Sequence, residues 1–170
     1  MPIIIGTNGD DRREGSASPD LMDMNGGNDV AYGRGGNDQL LGNGGNDVLY
    51  GGNGDDILNG GAGADKLYGG NGFDRFIFDR RADVIDYVMD FQHDVDKIDL
   101  SQIDANANRA GDQAVIWRGY QEFTGRAGEG RVYQAGDNTW LALDFDGDAR
   151  ADMRIAFDNH PLIGLGDVIL

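Results

Sequence analysis

The chain contains no cysteine, which excludes disulfide bonds and thiolate metal sites and leaves oxygen atoms as its available metal ligands. Basic residues are scarce as well, because 14 lysines and arginines stand against 30 aspartates and glutamates, for a formal charge of −16 at pH 7. Nucleic acid and anionic membrane surfaces would repel such a chain. The composition therefore argues against both as partners and favours cations.

Hydrophobic runs are short: none approaches the roughly 20 apolar residues of a membrane span, so membrane insertion is not expected. Residues 1–5 lack the basic region and the cleavage site of a secretory signal. Catalytic motifs are missing too, since there is no Gly-x-Ser-x-Gly elbow, no phosphate-binding loop and no histidine pair suited to zinc. The two histidines, His93 and His160, are interpreted as surface loop residues. These absences predict a protein that is not an enzyme.

What the sequence does contain is a nine-residue period. It places eight aspartates in phase through the first 77 residues, at Asp11, Asp20, Asp29, Asp38, Asp47, Asp56, Asp65 and Asp74. The unit at residues 42–50, Gly-Asn-Gly-Gly-Asn-Asp-Val-Leu-Tyr, is typical. Glycine adopts positive φ without a Cβ clash, and asparagine tolerates left-handed conformations. The first five positions therefore suit a tight turn with inward carbonyl groups, and the sixth adds a carboxylate.

The three residues after each aspartate alternate in polarity, as a short strand does. Apolar residues dominate the eighth position, which reads Arg13, Met22, Ala31, Leu40, Leu49, Leu58, Leu67 and Phe76. One such strand cannot bury its apolar residue alone, so successive units must coil and stack, with two units in each 18-residue turn. A flexible Gly/Asn/Asp linker would have a similar composition, but disorder gives no reason for this phase.

The units at residues 51–59 and 60–68 resemble the nonapeptide of the RTX, or repeats-in-toxin, family. The resemblance implies a parallel β-roll in which each calcium ion lies between the loops of alternate units, held by aspartate side chains and loop carbonyl groups. On this sequence it pairs Asp29 with Asp47, Asp47 with Asp65, Asp38 with Asp56, and Asp56 with Asp74. The carbonyl groups that it implies as ligands belong to Gly33, Gly35, Gly42, Gly44, Gly51, Asn53, Gly60 and Ala62.

Two further sites, Asp11 with Asp29 and Asp20 with Asp38, depend on units that depart from the pattern, since Arg13 replaces the inward leucine. We expect the first turn to be a weak cap, and about four to six calcium ions in total. Stacked carboxylate loops repel one another until a cation lies between them. Metal binding and folding are therefore expected to be one event.

After Phe78 the period stops and longer strand-like segments follow, at residues 83–91, 96–100, 114–118, 130–133, 139–145, 152–157 and 167–170. Alternating apolar residues at 141–145 and 153–157 flank an Asp-Gly-Asp turn, which predicts a hairpin with one buried face. Trp117 and Trp140 are interpreted as core or interface residues. The sequence predicts an all-β chain, with a β-roll over residues 1–78 and a β-rich part over residues 79–170.

Several phrases of this second half resemble the C-terminal domain of the serralysin metalloproteases: Asp90-Phe91, residues 96–101, residues 123–129, and the ending Asp167-Val168-Ile169-Leu170. That resemblance implies a β-sandwich-like cap, an uncleaved C-terminal signal for the type I secretion machinery, and an extracellular location. The chain lacks the zinc-binding His-Glu-x-x-His helix of these enzymes, so it cannot be that protease.

Two acidic segments of the second half have simpler alternatives to metal binding. The first is spaced like a compact calcium loop, but a plain hairpin turn explains it nearly as well; it contains Asp144, Asp146, Asp148 and Asp152. The second is interpreted as solvated strand polarity and contains Asp83, Asp86, Asp90, Asp94, Asp96 and Asp99.

Tyr32, Tyr50 and Tyr68 occupy the ninth position of alternate units, so a roll would stack them on adjacent strands of one outer face. Accessory modules of alginate epimerases share the RTX architecture and bind uronate chains, and this resemblance makes the tyrosines a candidate polysaccharide face. Simple cross-strand packing is the other interpretation.

The leading hypothesis is a non-catalytic calcium-binding domain that is exported unfolded and folds outside the cell on binding calcium. The alternatives are a carbohydrate-binding accessory module, and the tail of a secreted hydrolase whose catalytic part is absent from this chain.

Overall fold

The described strands form two β-sheets, and the chain alternates between them from residue 3 to residue 99. The computed structural model describes residues 1–79, 84–103 and 115–170. The strands of the repeat region are β1 (Ile3–Ile5), β2 (Arg12–Glu14), β3 (Leu21–Asp23), β4 (Val30–Gly35), β5 (Gln39–Gly44), β6 (Val48–Asn53), β7 (Ile57–Ala62), β8 (Lys66–Asn71) and β9 (Arg75–Ile77). Those of the second half are β10 (Asp86–Val88), β11 (Lys97–Asp99), β12 (Ile116–Trp117), β13 (Glu129–Ala135), β14 (Asn138–Asp144), β15 (Met153–Asp158) and β16 (Val168–Ile169).

The repeat region is a parallel β-roll, as the sequence predicts. Strands β1, β3, β5, β7 and β9 form one sheet, and β2, β4, β6 and β8 belong to the other. The register advances by 18 residues, because Val30 pairs with Val48 and Val48 pairs with Lys66. Each turn of the roll therefore contains two nine-residue units.

The eighth residue of each unit fills the core of the roll. Exposure is 0% for Met22, Ala31, Leu40, Leu49, Leu58, Leu67 and Phe76. Arg13 occupies the same position in the first turn but stays partly exposed, and its guanidinium lies 2.8 Å from Asp11 Oδ1. The first turn thus contributes an ion pair where the later turns contribute apolar packing, which agrees with the expected weak cap.

Glycine at the fourth position of the units lets successive coils touch through their backbones. Gly45 has a φ of +124°, and a Cβ on it would overlap the carbonyl group of Gly27 in the preceding coil. A side chain there would force the coils apart, so the loops depend on glycine for both its conformation and its size.

The second half continues the same two sheets. Strand β10 is parallel to β8 and β15, while β11 is parallel to β9 and β16. The predicted hairpin is present, since β14 and β15 are antiparallel with Leu141 opposite Ile155 and Leu143 opposite Met153. A separate β-sandwich-like cap is not confirmed, because the described strands of this half join the sheets of the roll.

The two tryptophans differ slightly in their setting: Trp117 packs against the hydrophobic core, and Trp140 is partly buried on β14. A single 3-10 turn, Leu165–Asp167, precedes β16. Within residues 1–79, 84–103 and 115–170, no helix has the length and apolarity needed to cross a membrane.

Candidate metal centre

The in-phase aspartates form two columns, one in each set of alternate loops. Within a column, the backbone N–H of each aspartate donates to Oδ1 of the aspartate one coil further on, at 2.7 to 3.0 Å. The first column contains Asp11, Asp29, Asp47 and Asp65, and the second contains Asp20, Asp38, Asp56 and Asp74. The structure therefore brings together every aspartate pair that the sequence predicts as a site.

Among the described residues, the second carboxylate oxygen of the inner aspartates has no hydrogen-bond partner. This holds for Oδ2 of Asp29, Asp38, Asp47, Asp56, Asp65 and Asp74, all of them buried. Burying an ionised carboxylate without a partner costs several kcal/mol, so such a group needs either a proton or a cation beside it. Because the six oxygens occupy equivalent positions in successive units, their lack of partners is a consequence of the repeating fold.

Five of these oxygens lie in cups that a glycine at the first position of the unit leaves open, namely those of Asp38, Asp47, Asp56, Asp65 and Asp74. A Cβ built on Gly42 would overlap Asp47 Oδ2 and would lie 2.5 Å from the carbonyl oxygen of Gly60 in the next coil. The same relation to the loop's own aspartate and to the next coil holds at Gly33 and Gly51. A carboxylate oxygen and a carbonyl oxygen from successive coils therefore converge on each cup, and calcium takes ligands of these two kinds.

The predicted carbonyl ligands all belong to β4, β5, β6 and β7. The carbonyl oxygens of Gly44, Asn53 and Ala62 each accept one hydrogen bond, at 2.8 to 2.9 Å, from the fourth-position glycine of the preceding coil. A carbonyl oxygen has two lone pairs, so each of these three retains one for a metal ion. The donor set fits calcium, although the role of each individual carbonyl group stays a prediction.

Burial perturbs the acidity of the columns. It raises the pKa of Asp47 and of Asp74 to about 6 and that of Asp56 to about 7. Neighbouring carboxylates add to the effect, since Asp74 and Asp38 both repel the charge of Asp56. Without a cation, the centre of the roll thus holds carboxyl groups whose raised pKa values disfavour ionisation near neutral pH.

The first coil satisfies one oxygen of each of its two carboxylates by itself, while Asp20 Oδ1 has no hydrogen-bond partner among the described residues. Asp11 Oδ2 accepts hydrogen bonds from the N–H of Thr7 at 2.6 Å and from its hydroxyl at 2.8 Å. Asp20 Oδ2 accepts the equivalent pair from Ser16, at 2.6 and 2.9 Å. The hydrogen bond from the Thr7 backbone, with the one from its hydroxyl, lowers the pKa of Asp11. Hydroxyl residues at the second position are the sequence signal that sets these two units apart.

Two aspartates of the second half extend the columns, although the nine-residue period does not predict them. The N–H of Asp65 donates to Asp86 Oδ1 at 3.0 Å, and the N–H of Asp74 donates to Asp96 Oδ1 at 3.1 Å. Asp86 and Asp96 are 4% and 1% exposed, so their interpretation as solvated polarity is wrong. The spacing of 21 and 22 residues, in place of 18, hides this continuation.

Other members of that acidic segment also have structural partners. Asp99 is buried and accepts a hydrogen bond from Arg75 Nε at 2.7 Å. Asp90 accepts the backbone N–H groups of Gly69 and Gly70 at 2.9 and 3.0 Å. Only the exposed side chain of Asp94 agrees with the sequence interpretation, and Asp83 lies outside the described residues.

The acidic loop between β14 and β15 is closed by its own backbone. Carboxylate oxygens of Asp144, Asp146 and Asp152 lie within 4.8 Å of one another, and Asp148 is not part of this group. Both oxygens of Asp144 accept backbone N–H groups, at 2.6 and 3.0 Å. Asp152 Oδ2 accepts the N–H of Phe145 at 2.6 Å. Metal binding in this loop stays a prediction, and the hairpin turn accounts for the contacts.

The three tyrosines stack on one another. Ring centroids are 4.8 Å apart for Tyr32 and Tyr50 and 4.5 Å apart for Tyr50 and Tyr68, with interplanar angles of 4° and 15°. The guanidinium of Arg12 lies 4.4 Å from the centroid of Tyr32. The ring faces that a sugar would need are thus occupied by neighbours, which favours the cross-strand packing interpretation. A polysaccharide face stays a prediction.

The C-terminal segment is anchored through Asp167. Its Oδ2 lies 2.7 Å from Nδ1 of His93 and accepts the N–H of Gly164 at 2.8 Å, while its Oδ1 accepts the N–H of Asp94 at 3.0 Å. Burial works against ionisation of Asp167, but these hydrogen bonds outweigh it and lower its pKa. His93 is therefore a partly exposed residue with a structural contact.

Comparison with known proteins agrees with this geometry. The AlgE6R2 subunit of the Azotobacter vinelandii mannuronan C5-epimerase is 23% identical, with a TM-score of 0.53 over 98% of this chain and 91% of that chain, which supports a shared fold. The AlgE6R3 subunit of the same enzyme is 26% identical, with a TM-score of 0.42 over 90% and 72%. A comparison with curated proteins found no match. The model of the RTX calcium-binding nonapeptide repeat (4 copies) matches residues 5–40, 25–49 and 41–76, and this repeat region therefore belongs to the RTX calcium-binding family.

Proposed function

We propose that this protein is a secreted, non-catalytic RTX domain whose fold forms when calcium binds between its coils. The observation that carries the proposal is the set of six buried Oδ2 atoms for which the described part of the chain offers no partner. A fold that buries like charges in two columns is stable only when cations or protons neutralise the columns.

Four interior sites are proposed, formed by Asp29 with Asp47, Asp47 with Asp65, Asp38 with Asp56, and Asp56 with Asp74, with the loop carbonyl groups of their coils. When bound, calcium supplies positive charge and accepts six to eight oxygen ligands. Sites at Asp11 and Asp20 are weaker candidates, because Thr7 and Ser16 already satisfy one oxygen of each carboxylate. Each site stabilises the fold by about 2.7 kcal/mol when free calcium is 100 times its Kd.

The second half, taken as a domain over residues 79–170, is proposed to close the roll and to carry the type I secretion signal. In the folded chain Val168 pairs with Ile98, and Asp167 is fully buried. Such a signal is accessible only while the chain is unfolded. Low cytosolic calcium would keep it accessible before export, and extracellular calcium would bury it afterwards.

The test is a calcium titration followed by far-ultraviolet circular dichroism, with ion stoichiometry measured by equilibrium dialysis. We expect a steep change from coil to sheet and about four ions bound at saturation. Magnesium is the control, because it prefers a smaller octahedral site and keeps several of its waters. A full sheet signal in chelator, or equal action of magnesium, would contradict the proposal.

A second candidate function is that of a module within a larger secreted enzyme. The solved structure of similar fold is described as one subunit of a mannuronan C5-epimerase, and this is the observation that favours it. The test is binding of calcium-loaded protein to mannuronan fragments and to neutral glycans, with alanine variants of Tyr32, Tyr50 and Tyr68. Binding that survives these substitutions would exclude the tyrosine face.

A further inference from the structure

A cavity of about 370 Å³ lies against the C-terminal sheet, on the side opposite the core, and three arginines line it. The register explains how they meet. Arg131 on β13 and Arg154 on β15 both pair with Ala142 on β14, so their side chains flank a small residue on one face. Arg150, from the loop before β15, completes the group. The volume of the cavity is within the range of small-ligand pockets.

Aromatic contacts hold one of these arginines in place. The guanidinium of Arg131 lies 5.3 Å from the ring centroid of Phe123 and 4.7 Å from that of Tyr133. The ring of Tyr133 in turn stacks on Trp140 with centroids 6.4 Å apart. Arg131 also pairs with Glu122, whose side chain is 85% exposed. The cavity thus has a positive group fixed between apolar rings before any ligand arrives.

The other two arginines carry charge that the chain does not neutralise. Among the described residues, neither Arg150 nor Arg154 has a carboxylate partner, and both are exposed. In a chain with a formal charge of −16, these two side chains create a local field of opposite sign. Guanidinium groups match the planar geometry of oxyanions such as carboxylate, and a charge-assisted pair is stronger than a neutral hydrogen bond.

We propose that this cavity binds a small organic acid, whose carboxylate meets Arg150 and Arg154 and whose ring lies beside Phe123 and Tyr133. The overall negative charge disfavours a long polyanion, because most of the surface would repel the segments that extend beyond the cavity. The shared chemistry is a carboxylate on a ring, and both sugar acids and aromatic acids have it. This site lies outside the aspartate columns and requires no calcium ligand.

The test is a titration of the calcium-loaded full chain, followed by ¹H–¹⁵N nuclear magnetic resonance. The probes are two matched pairs, glucuronate with glucose and benzoate with benzamide, together with inorganic sulfate. We expect at least one of the two acids to shift the amides of Arg131, Arg150 and Arg154 with a Kd on the order of 1 mM. The neutral partners and sulfate should bind at least about tenfold more weakly, since each lacks either the charge or the ring.

The variants Arg150→Gln and Arg154→Gln should each weaken binding by about fivefold or more. Arg34→Gln is the matched control, because it removes the same charge from an exposed arginine in the repeat region and should leave the Kd unchanged. Preference for glucuronate identifies a sugar acid, and preference for benzoate an aromatic acid. Equal binding of acid and neutral partner, equal loss in the control, or no shift at about ten times the expected Kd would overturn the proposal. The calcium titration should be the same in the Arg150 and Arg154 variants as in the unmodified chain, so failure here leaves the proposed calcium sites untouched.

Discussion

The repeat region and the second half bury carboxylates equally well but neutralise them differently. In the repeats, six buried Oδ2 atoms have no hydrogen-bond partner in residues 1–79, 84–103 and 115–170. In the second half, Asp99 meets Arg75, Glu129 meets the Thr124 hydroxyl at 2.6 Å, and Asp167 meets His93. Burial opposes ionisation in all three of these, yet their hydrogen bonds and ion pairs lower the pKa of each.

The difference shows that burial alone does not decide the state of a carboxylate. What decides it is the origin of the compensating charge. Donors within the folded protein, Arg75 of β9 among them, satisfy these three carboxylates of the second half, so their compensation needs no ion from solution. The repeats leave the compensation to a cation from solution, which makes their folding conditional on the medium.

Removal of calcium should unfold the repeats while β13 to β15 of the second half stay folded, and this is the largest effect expected. With four sites at 100 times Kd, the repeats lose about 10 kcal/mol of stabilisation. Hydrogen exchange in chelator should show fast exchange of the amides of β4 to β8, while those of β13 to β15 retain protection. Restoring calcium should restore the protection of β4 to β8, and magnesium should not. Uniform loss of protection in the two regions would mean that they fold as one unit and would remove the contrast.

Asp56→Asn should remove part of the stability that calcium gives to the repeats. Asn keeps an oxygen that can accept the Asp38 N–H, but the substitution removes the charge that two proposed sites share. We expect two fewer ions per chain by calorimetry and a loss of about 5 kcal/mol at saturating calcium. Asp55→Asn is the control, since Asp55 is exposed and in the same loop. Equal effects of the two variants would attribute the loss to net charge.

The same contrast explains how much the sequence could predict. The roll follows from a strict period, because a residue such as Leu58 recurs on the inward face and Asp56 recurs in the loop. The contacts of the second half have no such period: Asp167 and His93 are 74 residues apart, and only the fold brings them together. Asp86 and Asp96 belong to the columns, but insertions of three and four residues break the count that identifies the others.

Acid should partly replace calcium in the repeats. Burial raises the folded-state pKa of Asp47 and Asp74 to about 6, and that of Asp56 and Asp86 to about 7, above the unfolded value of about 3.9. A raised folded-state pKa means that protonation favours the fold at low pH, and this contribution is lost as pH rises through 6 to 7. In chelator, the sheet signal should therefore be larger at pH 5 than at pH 8.

Calcium reverses that dependence, because it requires the ionised form of the same groups. The apparent affinity of the folded repeats for calcium should therefore fall as pH falls below about 7, because protons compete for the same carboxylates. Circular dichroism in chelator measures the first trend, and calorimetric titration at fixed ionic strength measures the second. A chelated chain that is equally unfolded at both pH values would indicate that desolvation of these carboxylates does not control the repeats.

The smallest expected effect concerns the first coil, which resembles the second half because donors of the protein itself hydrogen-bond to its carboxylates. Ser16→Ala removes the hydroxyl that donates to Asp20 Oδ2 at 2.9 Å and should cost about 1 kcal/mol. Ser18→Ala is the control, since the Ser18 hydroxyl makes no hydrogen bond within the described residues. Because the first coil carries its own donor, the loss should be the same at saturating and at tenfold higher calcium in denaturant titrations. A loss that more calcium repairs would place a metal ion at Asp20 and would make the first coil conditional like the rest of the roll.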